Sequence, residues 1–270
     1  MTEPQGRREM RDLLDKHGLS PRTTLGQHFL ADPNIVRRIV RLSGVDATSN
    51  VLEVGAGTGT LTRGLAATGA RVVAYEVDYH LRPLLEESVG DLSNVEIRME
   101  DARSLDVAGL DGEWTLVANL PYHVGTPLVL DFLRFAPAIH TFVVMVQREV
   151  ADRMTANPGG KQYGLPTVVV NLYAGIKMEF TVPPHVFVPA PQVASAVIRI
   201  QRRDEVDEQA ERAIELAAAG FSQRRKMLRS SLKGAVDDPI VACEAAGIDP
   251  TQRAESLSTG DWLALARVSS

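Results

Sequence analysis

Residues 50–62 constrain the fold of this chain more than any other stretch. They read Asn50-Val51-Leu52-Glu53-Val54-Gly55-Ala56-Gly57-Thr58-Gly59-Thr60-Leu61-Thr62. An apolar strand, Val51 to Val54, runs into a glycine-rich turn, and Leu61 and Leu65 then recur at helical spacing. Gly55, Gly57 and Gly59 let the backbone turn tightly and approach a ligand closely. A second apolar run, Arg71-Val72-Val73-Ala74-Tyr75, ends at Glu76. An acid about 20 residues beyond the first glycine can accept both hydroxyls of a ribose through charge-assisted hydrogen bonds.

Strand signals recur near 50–54, 71–75, 94–98, 114–118, 140–146, 167–174 and 193–200, with helical patterns between most of them. This alternation predicts an α/β fold, a mainly parallel, doubly wound sheet of the Rossmann-like kind with seven strands. Loop and proline-rich sequence (Pro183, Pro184, Pro189, Pro191) separates the last two segments, which suggests an antiparallel hairpin at one edge. Residues 7–17 have the pattern of a short amphipathic helix, and Thr24 to Leu30 is turn-like. Asp32-Pro33 opens a further helix to about Leu42, with Asp as N-cap and proline in the first turn. From about 205 onward the pattern is helical and alanine-rich. The expected division is a core over 1–203 and a small all-helical domain over 204–270. The glycine-rich loop 155–166 either closes over a substrate or is a plain surface connection.

Asn119-Leu120-Pro121-Tyr122 follows the apolar run Trp114 to Ala118, so it falls at the C-terminal end of a buried strand, the edge where open α/β sheets bind ligands. These residues suit methylation of a planar, conjugated amine, whose lone pair is delocalised and poorly nucleophilic. The Asn119 side-chain oxygen and the Leu120 carbonyl can each accept one N–H. Two such acceptors out of plane bias the nitrogen toward tetrahedral geometry. Pro121 fixes its own φ and restricts Leu120. Tyr122 offers a flat face to a base.

The glycine spacing bears on the cofactor. A dinucleotide site is marked by G-x-G-x-x-G. Here the spacing is G-x-G-x-G, with Thr60 next and Glu53 two residues before the first glycine. That form resembles the first motif of S-adenosylmethionine-dependent methyltransferases.

Composition agrees with an enzyme of this type. A chain of 270 residues can bury one sizeable core and carry a small appendage. No apolar run reaches membrane-spanning length, and the N-terminus has no apolar signal core. The single cysteine, Cys243, excludes a disulfide framework and fits a reducing cytoplasm. The six histidines lack ligand spacing, so no metal is expected. The net charge of −5 argues against a uniformly basic nucleic-acid binder. Yet residues 219–233 carry five basic side chains and no acid, Arg224, Arg225 and Lys226 among them, directly after an acid-rich stretch over 204–215. The N-terminal segment is also arginine-rich. Such an acid-free block around Phe221 points to phosphate contacts.

Taken together these motifs resemble the bacterial ribosomal RNA adenine dimethyltransferases, nearest to the small-subunit type, from about residue 20 to 266. Gly26-Gln27-His28-Phe29-Leu30 resembles that family's N-terminal cofactor motif. Glu53 to Thr62, Glu76, Glu100-Asp101-Ala102 and Asn119 to Tyr122 match its glycine loop, ribose acid, adenine segment and amine motif. Phe187-Val188-Pro189-Ala190-Pro191-Gln192-Val193-Ala194-Ser195-Ala196-Val197 resembles its F-x-P-x-P-x-V-x-S-x-V motif. Phe221 to Lys226, followed by Arg253-Ala254-Glu255-Ser256-Leu257-Ser258, looks like the helical-domain signature of the small-subunit enzymes, which the erythromycin-resistance methyltransferases lack. Gln192, Ala194 and His123 stand where the family often has Lys, Asp and Asn.

The resemblance implies methyl transfer from S-adenosylmethionine to N6 of two adjacent adenosines near the 3′ end of 16S rRNA, in the small ribosomal subunit. The cysteine usage predicts a cytoplasmic enzyme, and with nothing in the sequence that suggests an obligate dimer a monomer is expected. It implies catalytic roles for Asn119, Leu120 and Tyr122. His28, Leu30, Gly55, Gly57, Glu76, Asp101 and Asn119 would hold the cofactor, Asp101 by accepting from the adenine amine. Tyr122 and Phe187 would sandwich the target base, and Arg224, Arg225 and Lys226 would meet RNA. Two other readings stay open: methylation of another conjugated amine, such as a DNA adenine or a protein glutamine, and a ribosome-assembly checkpoint that uses the fold mainly for binding.

Overall fold

A computed structural model describes residues 3–121 and 124–269. Its chain forms two compact units, one of residues 1–151 and 177–201 and one of 152–176 and 202–270.

The first unit opens with α1 (Arg7–Lys16), whose Met10 and Leu14 are buried. The short strand β1 (Phe29–Leu30) follows. In α2 (Pro33–Ser43) the Asp32 carboxylate accepts from the Asn34 and Ile35 N–H groups, and Gly44 closes the helix in the left-handed region. Then come β2 (Asn50–Val54), α3 (Thr60–Ala66), β3 (Arg71–Tyr75), α4 (Arg82–Val89), β4 (Val95–Arg98), β5 (Trp114–Asn119), α5 (Gly125–Phe135), β6 (Ile139–Gln147) and α6 (Arg148–Met154). The last strands are β7 (Ala174–Val182), β8 (Phe187–Val188) and β9 (Ser195–Arg202).

Seven strands form one sheet in the order β4-β3-β2-β5-β6-β9-β7. Strands β2 to β6 pair in parallel, and β9 runs antiparallel to β6. The order reverses direction between β2 and β5, the switch point where open α/β sheets bind ligands. Helices α2, α3 and α4 pack side by side against the sheet. Leu65, Val72, Ala74, Val117 and Val143 are buried in the core there. The β5 sequence, Trp114-Thr115-Leu116-Val117-Ala118-Asn119, is apolar on both faces because neighbours cover both.

One expected strand is a helix. Residues 167–174 read as a strand from Val168, Val169 and Val170, yet α7 spans Leu165–Tyr173. Pro166 fits the first helical turn, and α7 packs against α8 (Ala210–Ser222), so apolar side chains on all its faces are satisfied. The sheet strand lies one element later, in β7, where Lys177 and Glu179 interrupt the apolar pattern. The segment 152–176 belongs to the second unit, whereas the sequence placed it in the core.

The second unit is completed by α9 (Leu228–Ser231), α10 (Pro239–Ala245) and α11 (Thr259–Val268). Trp262 is fully buried and stands 6.1 Å from the Phe221 ring, which meets Tyr163 edge-on at 5.8 Å. The loop 155–166 is pinned within this unit. Gly159 N–H donates to the Glu255 carbonyl at 2.7 Å, and the buried Tyr163 hydroxyl to the Leu257 carbonyl at 2.7 Å. Among the described residues no helix is long and apolar enough to cross a membrane.

Candidate active site

A cavity of about 220 Å³ opens at the C-terminal ends of β2, β3 and β5, over the switch point. It is lined by Val54, Gly55 and Gly57, by Glu76 with Val77, by Asp101 and Arg103, and by Asn119 to Pro121. The segment Leu25 to Phe29 lies along it.

The glycine loop is shaped for close approach. Gly55, Gly57 and Gly59 have φ of +79°, +57° and +79°, a region that L side chains rarely adopt. A Cβ on Gly57 would stand 3.0 Å from the Phe29 ring. The Gly55 and Ala56 N–H groups both donate to the Tyr75 carbonyl, at 2.9 and 3.0 Å, which ties the loop to the end of β3.

Glu76 follows directly. One carboxylate oxygen accepts from Gly57 N–H at 2.8 Å and the other from Asp78 N–H at 2.9 Å. Burial pushes its carboxyl above the ordinary value, and these backbone donors partly offset the rise. Each oxygen keeps a second lone pair for a ribose hydroxyl. Asp101 has a different surrounding. The Arg103 guanidinium contacts both its oxygens at 2.5–3.1 Å and holds the carboxyl below its ordinary value. Val77, Arg103 and Val124 line the cavity but escaped sequence reasoning, although the first two lie one or two positions beyond an acid it did identify.

In the amine motif, Asn119 Nδ2 donates to the His28 carbonyl at 3.1 Å. That contact uses the amide nitrogen and leaves Oδ1 as the acceptor beside the cavity. Among the described residues Oδ1 has no donor. Leu120 N–H bonds to the Met145 carbonyl of β6 at 3.1 Å. The Pro121 carbonyl accepts from Val124 and Gly125, both at 3.0 Å, starting α5. The His28 ring reaches the Pro189 carbonyl through Nδ1 at 2.8 Å, joining the N-terminal motif to the proline-rich one. Tyr122 and His123 lie outside the described residues.

Thus the fold gathers His28, Gly55, Gly57, Glu76, Asp101, Asn119 and Leu120 around one cavity. Two expected members are elsewhere. Leu30 and Phe187 pair across β1 and β8, only 4% and 1% exposed, and both sit in the hydrophobic core. Their side chains do not line the cavity, because this short ladder turns them inward. As placed, Phe187 supports the rim and does not offer a face to a base.

The basic block also divides. Arg224 is spent internally, on Glu255 at 3.0 Å and the Lys161 carbonyl at 2.8 Å. Arg225 and Lys226 are exposed. The exposed Arg253 joins them through a backbone bridge between Met227 and Arg253, and exposed Arg229 follows on α9. Arg229 belongs to the acid-free block already read from the sequence, whereas Arg253 was not read as its surface partner, since no local pattern reveals a bridge across that separation.

The residues fit S-adenosylmethionine: a glycine cradle in the left-handed region, where a Cβ at Gly57 would press on the Phe29 ring, a buried acid suited to a ribose, and a second acid suited to an adenine amine. With the seven-stranded sheet, this defines the chain as a Rossmann-like methyltransferase. Residues 18–269 match the family described as ribosomal RNA adenine dimethylase, and the chain belongs to that family. It is 43% identical to the ribosomal RNA small subunit methyltransferase A of Phenylobacterium zucineum over 95% of this chain and 91% of that one. With the protein of the same name from Cutibacterium acnes it shares 45% identity, over 96% and 91%. The crystal structure of the 23S rRNA methyltransferase ErmE is similar with a TM-score of 0.70 and 27% identity, over 89% of this chain and 99% of that one. A dimethyladenosine transferase from Plasmodium falciparum shares the fold, with a TM-score of 0.76 and 24% identity over 88% and 96%.

Proposed function

We propose that this chain transfers methyl groups from S-adenosylmethionine to N6 of two adjacent adenosines near the 3′ end of small-subunit rRNA, giving N6,N6-dimethyladenosines. One observation carries the reading. Asn119, with its Nδ2 turned to the His28 carbonyl, lines the same cavity as the glycine loop and Glu76.

S-adenosylmethionine supplies a methyl group made electrophilic by its sulfonium. Gly55, Gly57 and Glu76 hold the donor, and Asp101 accepts from its adenine amine. Asn119 Oδ1 and the Leu120 carbonyl accept the two N–H groups of the target and withdraw its lone pair from the ring. In-line positioning is then the main task. The new C–N bond forms as the C–S bond breaks, and the amine proton, made acidic by alkylation, leaves to water without a strong base. The base must first leave its stack, at a cost of a few kcal/mol. Tyr122, next in the motif, would supply a stacking face worth about 1–3 kcal/mol. Arg225, Lys226, Arg229 and Arg253 bind RNA phosphates. The enzyme works as a monomer in the cytoplasm, and the reaction calls on no metal.

The test is incubation with unmethylated small subunits and labelled S-adenosylmethionine, then mapping of the modified nucleotides. Label on two adjacent adenosines near the 3′ end is the expected result. Label elsewhere, or on DNA or protein in preference, would overturn the assignment.

A further inference from the structure

Behind the cavity wall lies a buried acid that touches no ligand position. Asp78 is two residues beyond Glu76, its side chain is 3% exposed, and it does not line the cavity. Four donors converge on it. Gln27 Nε2 reaches Oδ2 at 2.8 Å, Arg22 Nη1 reaches Oδ1 at 3.3 Å, and His80 approaches through its backbone N–H and its Nδ1, both at 3.1 Å. Its own backbone N–H donates to Glu76 Oε1 at 2.9 Å. Gln27 is in turn held on its other side, where Oε1 accepts from the Arg22 backbone N–H at 2.7 Å.

These contacts have a direction. Gln27 lines the cavity within the segment Leu25 to Phe29, and Glu76 forms another part of its wall. Asp78 bonds to both without lining the cavity itself, and so links these two parts of the wall. A buried carboxylate is stable there only while its donors are in place, since an unpaired buried charge is strongly unfavourable. The segment 22–28 is a single 3₁₀ turn (Thr23–Leu25) and loop before β1; His28 holds its far end, on Asn119 and the Pro189 carbonyl, and the Asp78 contacts hold Arg22 and Gln27.

We propose that Asp78 is a positioning residue for the methyl-donor site, latching the 22–28 segment against the acid that receives the donor's ribose. The proposal rests on reading the cavity as the donor site. Asp78 does not contact the donor. It fixes the separation of these two parts of the wall, so its loss falls on donor affinity and KM more than on kcat.

The test uses the full chain and S-adenosylhomocysteine as the calorimetric probe. Gln27→Glu removes the donor and sets two carboxylates face to face; binding weakens about tenfold, as for one buried hydrogen-bonding group left unsatisfied. Asp78→Asn weakens it similarly by giving up the charge that holds Arg22. The double variant Gln27→Glu/Asp78→Asn restores a donor facing an acceptor and returns affinity to within about threefold of wild type, a recovery that general loosening would not produce. Should Asp78→Asn not fold, Gln27→Glu at its half-buried loop position carries the test alone. Unchanged affinity in Gln27→Glu, or additive losses in the double variant, overturns the latch. Glu76→Ala separates the two ideas. If it weakens binding while Gln27→Glu does not, only the latch fails; if it too has no effect, the donor-site reading fails.

Discussion

Glu53 shows how much a single side chain carries here. It is 1% exposed beneath the glycine loop, and burial, reinforced by the nearby Glu76 charge, pushes its carboxyl up to about 8. The folded protein thus keeps at neutral pH a proton that the unfolded chain has already released. Stability from this group is fully present below the ordinary carboxylate range and is lost as pH rises through about 8. Glu53→Gln is expected to flatten the fall in melting temperature between pH 5 and pH 9. An unchanged slope would place the titration elsewhere. The same scale shows what the sequence could tell. That Gly57, Glu76 and Asn119 share one cavity was legible, because a glycine in the left-handed region and polar residues at strand ends stand out from the apolar runs before them. Phe187 and Leu30 were not, because an aromatic or aliphatic residue in a motif looks alike whether it faces a ligand or the core. Burial decides that, and burial depends on the β1–β8 pairing between distant segments.

Elements were legible where periodicity and punctuation agreed. Each parallel strand of the core was anticipated to within a residue or two: the inner ones are near-continuous apolar runs, and the edge strand β4 alternates apolar with charged residues. Helix α7 was misread because its run of three valines masks any helical period, and its packing on α8 buries them. Two element-level predictions follow from contacts. Met10 of α1 is fully buried among Phe29, Ala31, Leu81 and Leu84, so α1 braces the segments flanking the cavity. Met10→Ala is expected to cost about 2–5 kcal/mol in denaturant unfolding, and to weaken S-adenosylhomocysteine binding. Gly59 opens α3 at φ +79°, and an added Cβ would lie 2.8 Å from Ser88 Oγ and 3.1 Å from Leu85 and Val89 side chains. Gly59→Ala should therefore cost at least the left-handed penalty of about 1–2 kcal/mol, also read from unfolding. A loss under half of that would mean the loop relaxes freely.

At the scale of the whole molecule, charge is divided against its total. The chain is acidic at −5, yet Arg225, Lys226, Arg229 and Arg253 form an exposed cationic surface on the helical unit, where Asp249 is the acid whose field reaches Arg229. Composition alone argued against nucleic acid; distribution reverses that. Neutralising Arg225, Lys226 and Arg229 is expected to lower the slope of log affinity for small subunits against log salt by about two to three, near 0.7–0.9 per cation. A slope that does not change would make this surface incidental. The central claim concerns the other unit: Asn119, anchored by the His28 carbonyl, presents an oxygen that draws the target lone pair out of its ring. Single-turnover methylation of unmethylated subunits by Asn119→Ala, with donor and subunit affinity measured on the same protein, tests it most directly. The account predicts a rate at saturating donor lower by about 10²–10³, the scale for losing one preorganised polar contact to a reacting group, with affinity for the subunits near wild type. A rate near wild type at saturating donor would contradict it.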